Sequence, residues 1–231
     1  MTVIKTRDSH MATDKEQLPT NKYHVRVPDL AYYRDQIKCQ AACPVLTDAR
    51  GYVTAIARGD LEEAFQIART PNPLASICGR VCNAPCEAAC RRGSIDAPIT
   101  IRPLKRVVTE RFGVESNQPQ TQVRPGEGEP SSLGNITVRS RSALQQVAAT
   151  PGRKIGRAAV IGSGPAGLSC AHDLAVLGHQ VTMFDAAPAS GGMLRLGIPL
   201  YRLNRQMLDQ EVQDILDLGV ELKLNTPIGR E

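Results

Sequence analysis

The chain has 231 residues, with 28 Lys plus Arg against 23 Asp plus Glu and a formal charge of +5, room for one large domain or two small ones. A hydrophobic fraction of 42% excludes wholesale disorder, and 3% aromatics with no Trp argue against a base-stacking nucleic-acid binder. No apolar run approaches the roughly 18 residues of a membrane span and Met1 to Leu30 lacks a signal-peptide core, so a cytoplasmic chain without nucleic-acid partner or transmembrane segment is expected.

Residues 1–38 read as a polar leader, and residues 39–114 as a small helical domain joined by Gly and Pro turns. From Asp48 to Arg58 the apolar face is Val53, Ile56 and Ala57, with Gly59 as the stop. Asp60 and Glu63 have capping-box spacing, and Leu61, Ala64, Phe65 and Ala68 follow the helical i, i+3, i+4, i+7 pattern behind them.

Six of the seven cysteines fall in this domain: Cys39, Cys43, Cys78, Cys82, Cys86 and Cys90. Nothing directs the chain into an oxidising compartment, so clustered thiols point to metal rather than disulfides. The run from Cys78 to Cys90 places three residues in every gap. Zinc sites favour C-x2-C to C-x4-C pairs separated by a longer spacer and often include His, but no His stands between His24 and His172. Compact, thiolate-only spacing suits an iron–sulfur cluster, and Pro44 after Cys43 fits ferredoxin-like runs. Cys170, far along the chain, is expected to pack inside a helix.

Residues 115–154 read as a basic linker punctuated by Gly and Pro, with a helical turn or two at Ala143 to Ala149. From 155 to 231 strand and helix alternate. Ala158 to Ile161 reads as a short buried strand, followed by a helix to Leu177 stopped at Gly178. A second strand runs from Val181 to Phe184. Leu208, Val212, Ile215 and Leu216 mark a further helical face, and Val220 to Leu224 a third strand, so a parallel sheet is expected.

Between the first strand and its helix stands Gly162-Ser163-Gly164-Pro165-Ala166-Gly167, a GxGxxG loop in the context that the motif requires. Gly162 permits the turn, Gly164 admits a pyrophosphate, Gly167 packs helix on strand, and the helix N-terminus faces the phosphates. Asp185, at the end of the second strand, is placed for a ribose hydroxyl, which favours FAD or NAD over NADP.

Beyond it, Gly191-Gly192-Met193 and Gly197-Ile198-Pro199-Leu200-Tyr201-Arg202 resemble the FAD-binding loop of the glutamate synthase small subunit and of the N-terminal half of dihydropyrimidine dehydrogenase. Cys-Gly-Arg-Val-Cys82, Pro-Cys86-Glu and Pro98-Ile99-Thr100-Ile101-Arg102 are similar to the same family. The resemblance implies a helical iron–sulfur domain followed by an α/β Rossmann-like FAD-binding half-domain. It implies cofactor-binding roles for residues 162–167, Asp185, Gly191, Gly192, Met193 and Arg202. It matches Cys43, Cys82 and Cys86 to ligands of one [4Fe-4S] cluster, and Cys39 and Cys90 to ligands of another. The upstream C-x2-C that would complete the second is missing, and Lys105 stands where relatives carry Gln or Glu. One cluster is therefore favoured over two, its fourth ligand drawn from Cys39 or Cys90, with Cys78 spare. The family's second flavin segment and NADPH domain lie outside these residues, so NAD(P)H is expected to act through a further domain or a partner subunit of a redox complex. No acid–base catalytic residue is identified; FAD and cluster would carry the chemistry of an oxidoreductase. Two other classes stay open: a non-enzymatic iron–sulfur adaptor and a zinc-binding module.

Overall fold

A computed structural model describes residues 32–33, 36–117 and 156–229. Most of the expected leader and linker lies outside them, as does the turn expected at Ala143 to Ala149. Local capping chemistry sets the first helices. After α1 (Lys38–Ala41), the Asp48 carboxylate accepts the Gly51 N–H at 2.8 Å and starts α2 (Ala49–Arg58). Gly59 ends it in the left-handed region, φ +84°. Asp60 accepts the Glu63 N–H at 3.2 Å and opens α3 (Leu61–Arg69). Glu63 turns to Arg58 at 2.8 Å, so half of the expected capping box is made.

Then come α4 (Ala75–Val81), α5 (Pro85–Ala88), a 3-10 turn (Arg91–Ser94) and α6 (Ile101–Phe112). Ala64, Phe65 and Ala68 are buried as their spacing predicts. On α2 the stripe is rotated from expectation: Tyr52 and Ala55 are buried and Ala57 is exposed. Tyr52 takes the centre because its hydroxyl reaches the Ile101 carbonyl at 3.1 Å, which satisfies a polar tip inside an apolar core.

The second region runs β1 (Arg157–Ile161), α7 (Pro165–Val176), β2 (Gln180–Phe184), α8 (Met193–Leu196), α9 (Arg205–Leu216) and β3 (Glu221–Lys223). The strands form a parallel sheet in the order β1-β2-β3, with Val160 opposite Met183 and Met183 opposite Leu222. Leu168, Ala171 and Ala175 of α7 and Met207, Leu208, Val212 and Ile215 of α9 pack with Val160, Val181 and Met183 in one core. Both helices therefore cover the same sheet face. The other face carries Ala159 and Ile161, and Ile161 is 68% exposed. The run read as a buried strand thus buries one face, because no described helix covers the other. Cys170 also departs from expectation: it is exposed, since the packed side of α7 belongs to Leu168, Ala171 and Ala175.

The two regions share a core. Leu74 and Ile77, at the start of α4, belong to the sheet's cluster rather than to the helical one. Beside them Glu211 of α9, only 1% exposed, accepts the Ser76 N–H at 2.7 Å and the Ile77 N–H at 3.1 Å. These are first-turn amides of α4, which have no acceptor within their own helix. Arg69 reaches Asp214 at 3.5 Å alongside.

Candidate functional site

Cys43, Cys78, Cys82 and Cys86 line one cavity, partly open to solvent, with Tyr52, Arg102 and Lys105 among its walls. Each thiol arrives by a local device. Cys78 on α4 and Cys82 at its end stand four residues apart, on one helix face. Gly79 between them lets α6 approach, because a Cβ there would lie 3.1 Å from Arg106 Cα. Arg80 then pairs with Glu110 at 2.8 Å and Glu115 at 2.6 Å, and Val81 packs toward the sheet core. The Cys-Gly-Arg-Val-Cys motif is thus mostly packing between two cysteines. Ala84 holds a left-handed φ of +53° and aims its N–H at the Cys82 sulfur, 3.3 Å away. Pro85 at the first turn of α5 follows, and presents Cys86. Glu87 accepts the Arg102 N–H at 2.7 Å and so caps α6, while the Arg102 guanidinium donates to the Cys82 carbonyl at 2.9 Å.

Burial pushes the Cys86 thiol up to about 11, helped by Cys43 and Cys82. Burial raises Cys78 too, against the pull of the Lys105 ammonium. Burial also raises Cys39, and nearby Cys90 adds to it. Without a positive centre these thiols stay protonated; metal binding would release their protons. Among the described residues no three His, Cys, Asp or Glu side chains are drawn together as ligands of one metal ion. Four cysteines nevertheless line one cavity, and an all-thiol lining is the donor chemistry of an iron–sulfur cluster. The sequence set Cys78 apart and drew the fourth ligand from Cys39 or Cys90. The structure places Cys78 in the cavity wall, and neither Cys39 nor Cys90 is there.

At the other site the glycines act through space they leave empty. Gly162 turns with φ +95° and donates its N–H to the Phe184 carbonyl at 2.7 Å. A Cβ on Gly167 would sit 1.9 Å from the Gly162 carbonyl oxygen, whereas one on Gly164 would meet only Gly192 Cα at 4.0 Å. The Gly191 N–H donates to the Ser163 carbonyl at 2.9 Å, and a Cβ on Gly192 would lie 2.8 Å from Gly164 Cα. The two glycine motifs are therefore one surface. Pro165 and Ala166 open α7, whose first-turn amides have no intrahelical acceptors.

Ser163 is fully buried. Its N–H and hydroxyl donate to Asp185 Oδ2 at 2.6 and 2.5 Å, and Ala187 N–H donates to Oδ1 at 2.8 Å. Partial burial would raise the Asp185 carboxyl, but the hydrogen bonds from Ser163 and Ala187 outweigh it and hold it low. Asp185 thus pins the loop to the end of β2, and Oδ1 keeps a lone pair for a ligand hydroxyl. Met193 and Arg202 are exposed. Arg195 and Arg205 brace this segment instead: Arg195 donates to the Ser190 carbonyl at 2.5 Å and pairs with Asp209, and Arg205 reaches the Ile198 carbonyl at 2.6 Å. The motif drew attention to Arg202 because it ends the matched segment; nothing in the pattern marks Arg205.

A thiol-lined helical body sharing a core with a glycine-loop strand–helix–strand unit defines the class: an iron–sulfur domain joined to a Rossmann-like segment. Residues 32–117 match the family described as dihydropyrimidine dehydrogenase domain II, 4Fe-4S cluster, and residues 160–197 match the NAD(P)-binding Rossmann-like domain. The chain is 42% identical, over 83% of its length, to the NADP(+)-dependent formate dehydrogenase subunit beta of Moorella thermoacetica, and covers 26% of that protein. It is 33% identical over 84% of its length to the NADPH-Fe(3+) oxidoreductase subunit beta of Geobacter sulfurreducens, covering 25%. To the NAD-dependent dihydropyrimidine dehydrogenase subunit PreT of Salmonella typhimurium it is 34% identical over 83%, covering 40%. The chain therefore spans between a quarter and two fifths of these relatives' lengths. Over most of its own length the chain is thus similar to subunits of NAD(P)-linked oxidoreductases, the kind of protein its motifs resemble.

Proposed function

We propose that this chain is the electron-transfer module of an NAD(P)H-linked oxidoreductase, with FAD at the glycine loop and one [4Fe-4S] cluster in the cysteine cavity. When bound, a flavin accepts two electrons from a reduced nicotinamide and a cluster passes them on singly. The observation that carries this reading is the shared core: Glu211, on the glycine-loop side, holds the helix that bears Cys78 and ends at Cys82. Cys43, Cys82 and Cys86 would ligate iron, and Ala84 N–H would donate to a ligating sulfur. The α7 amides, Gly164 and Gly192 would meet the flavin pyrophosphate, and Asp185 Oδ1 the ribose. The nicotinamide would reach the flavin through a further domain or a partner subunit, and the electrons would leave to another subunit of a redox complex. Among the described residues no helix is long and apolar enough to cross a membrane.

One observation favours the adaptor alternative: the Ser163 N–H and hydroxyl are already committed to Asp185. An anaerobic visible spectrum with iron, sulfide and flavin counts tests the reading. Flavin bands over a broad cluster absorbance support it. Cluster without flavin selects the adaptor, and a colourless protein holding zinc removes both.

A further inference from the structure

The cavity contains a cation as well as thiols. Lys105 is only 6% exposed, lies against the cysteines, and holds its ammonium 5.8 Å from the centre of the Tyr52 ring. Among the described residues no ion pair joins it to a carboxylate. A buried ammonium is costly unless an anion faces it. A [4Fe-4S] core of charge about +2 with four thiolates carries a net charge of about −2, which is the anion the cavity lacks.

Cys78 is prepared in the same way. It sits one helical turn from Cys82, facing it. Asn72 accepts the Leu74 N–H at 3.0 Å through Oδ1 and so fixes the entry to the helix that carries Cys78.

We infer that Cys78 is the fourth thiolate of the cluster with Cys43, Cys82 and Cys86, and that Lys105 is the buried counter-cation of that anionic centre. This rests on the reading of the cavity as a cluster site. Lys105 on α6 presents an ammonium, which has no lone pair to give iron, and a thiol on the packed helix α4 supplies the fourth position.

The test reconstitutes the full chain anaerobically and compares variants by iron count, electron paramagnetic resonance and midpoint potential. The parent should hold about four irons. Cys78→Ala should fall to about three irons or fewer and show a three-iron signal, while Cys39→Ala and Cys90→Ala keep the parent spectrum. Cys78→Ser preserves side-chain size if the alanine variant folds poorly by circular dichroism; its alkoxide should shift the cluster spectrum and lower the potential. Lys105→Met should keep the iron and lower the potential, because a positive neighbour favours the reduced, more negative centre. A four-iron cluster with parent potential in Cys78→Ala or Cys78→Ser overturns the ligand assignment, as does loss of the cluster in Cys39→Ala or Cys90→Ala. An unchanged potential in Lys105→Met overturns the counter-cation. A parent that takes up no iron sinks the cluster reading itself, and this assignment with it.

Discussion

The helical region and the sheet region build their candidate sites by opposite means. The cavity among residues 43–105 depends on side chains that are present: four thiols, an ammonium and a guanidinium on short helices. The surface at Gly162 to Gly167 depends on side chains that are absent, with Gly164 and Gly192 packed backbone to backbone. One site should fail when atoms are removed and the other when atoms are added. Glu211 is where the contrast breaks down, because one carboxylate on the sheet side completes a helix on the cysteine side.

The largest effect is expected there. Glu211→Ala leaves two buried N–H donors without an acceptor, a loss of about 2–5 kcal/mol. In thermal or urea unfolding both regions should weaken together, and a variant as stable as the parent would separate them. Burial raises the Glu211 carboxyl above its ordinary 4.5, against the pull of Arg69. The folded state then binds that proton more tightly than the unfolded state. Stability should decline as pH rises from about 4.5 through the folded value, and Glu211→Gln should flatten that slope.

Gly167→Ala comes next. Its Cβ would fall 1.9 Å from the Gly162 carbonyl oxygen, so β1 and α7 must separate at a cost of about 1–3 kcal/mol. A melting temperature equal to the parent's would contradict the packing described.

Asp185→Ala should be milder. It releases the Ser163 and Ala187 donors at a partly solvated position, for roughly 1 kcal/mol of stability, and it should weaken FAD about tenfold or more. Because the folded carboxyl is held below its ordinary 3.8, its contribution is present above that value and lost as pH falls through the folded one. An acid limb of the unfolding profile that is unchanged in the variant would remove this role.

Gly164→Ala should change stability least, within about 0.5 kcal/mol, since its Cβ meets nothing closer than 4.0 Å. It should still weaken FAD by about tenfold or more. Titration showing parent affinity would take the glycine loop away from the phosphates.

What was legible in the sequence was local. Asp48, Asp60 and Gly59 announce helix ends because a cap needs only its neighbours in the chain. The GxGxxG loop, the parallel strands and the packing of α3 were readable for the same reason. Features that depend on a distant element were not. Ile161 reads as buried, but no described helix lies above it, and the buried stripe of α2 follows a tyrosine whose partner lies 49 residues away. Equal gaps between cysteines cannot say which sulfurs meet; that depends on how α4 and α6 cross at Gly79. Glu211 left one faint sign, an acid inside the Leu208, Val212, Ile215 stripe, and only the first-turn amides of another helix explain it.

The sharing of α4 also settles how this molecule could be taken apart. A cut anywhere in residues 118–155 divides the sequence but not the core, since Leu74 and Ile77 remain packed among residues from beyond the cut. The two pieces would stay together as a non-covalent pair. In hydrogen exchange, the Ser76 and Ile77 amides should open with the sheet rather than with α2 and α3, their nearer neighbours in the chain. The cooperative unit of this protein runs across its apparent domain boundary.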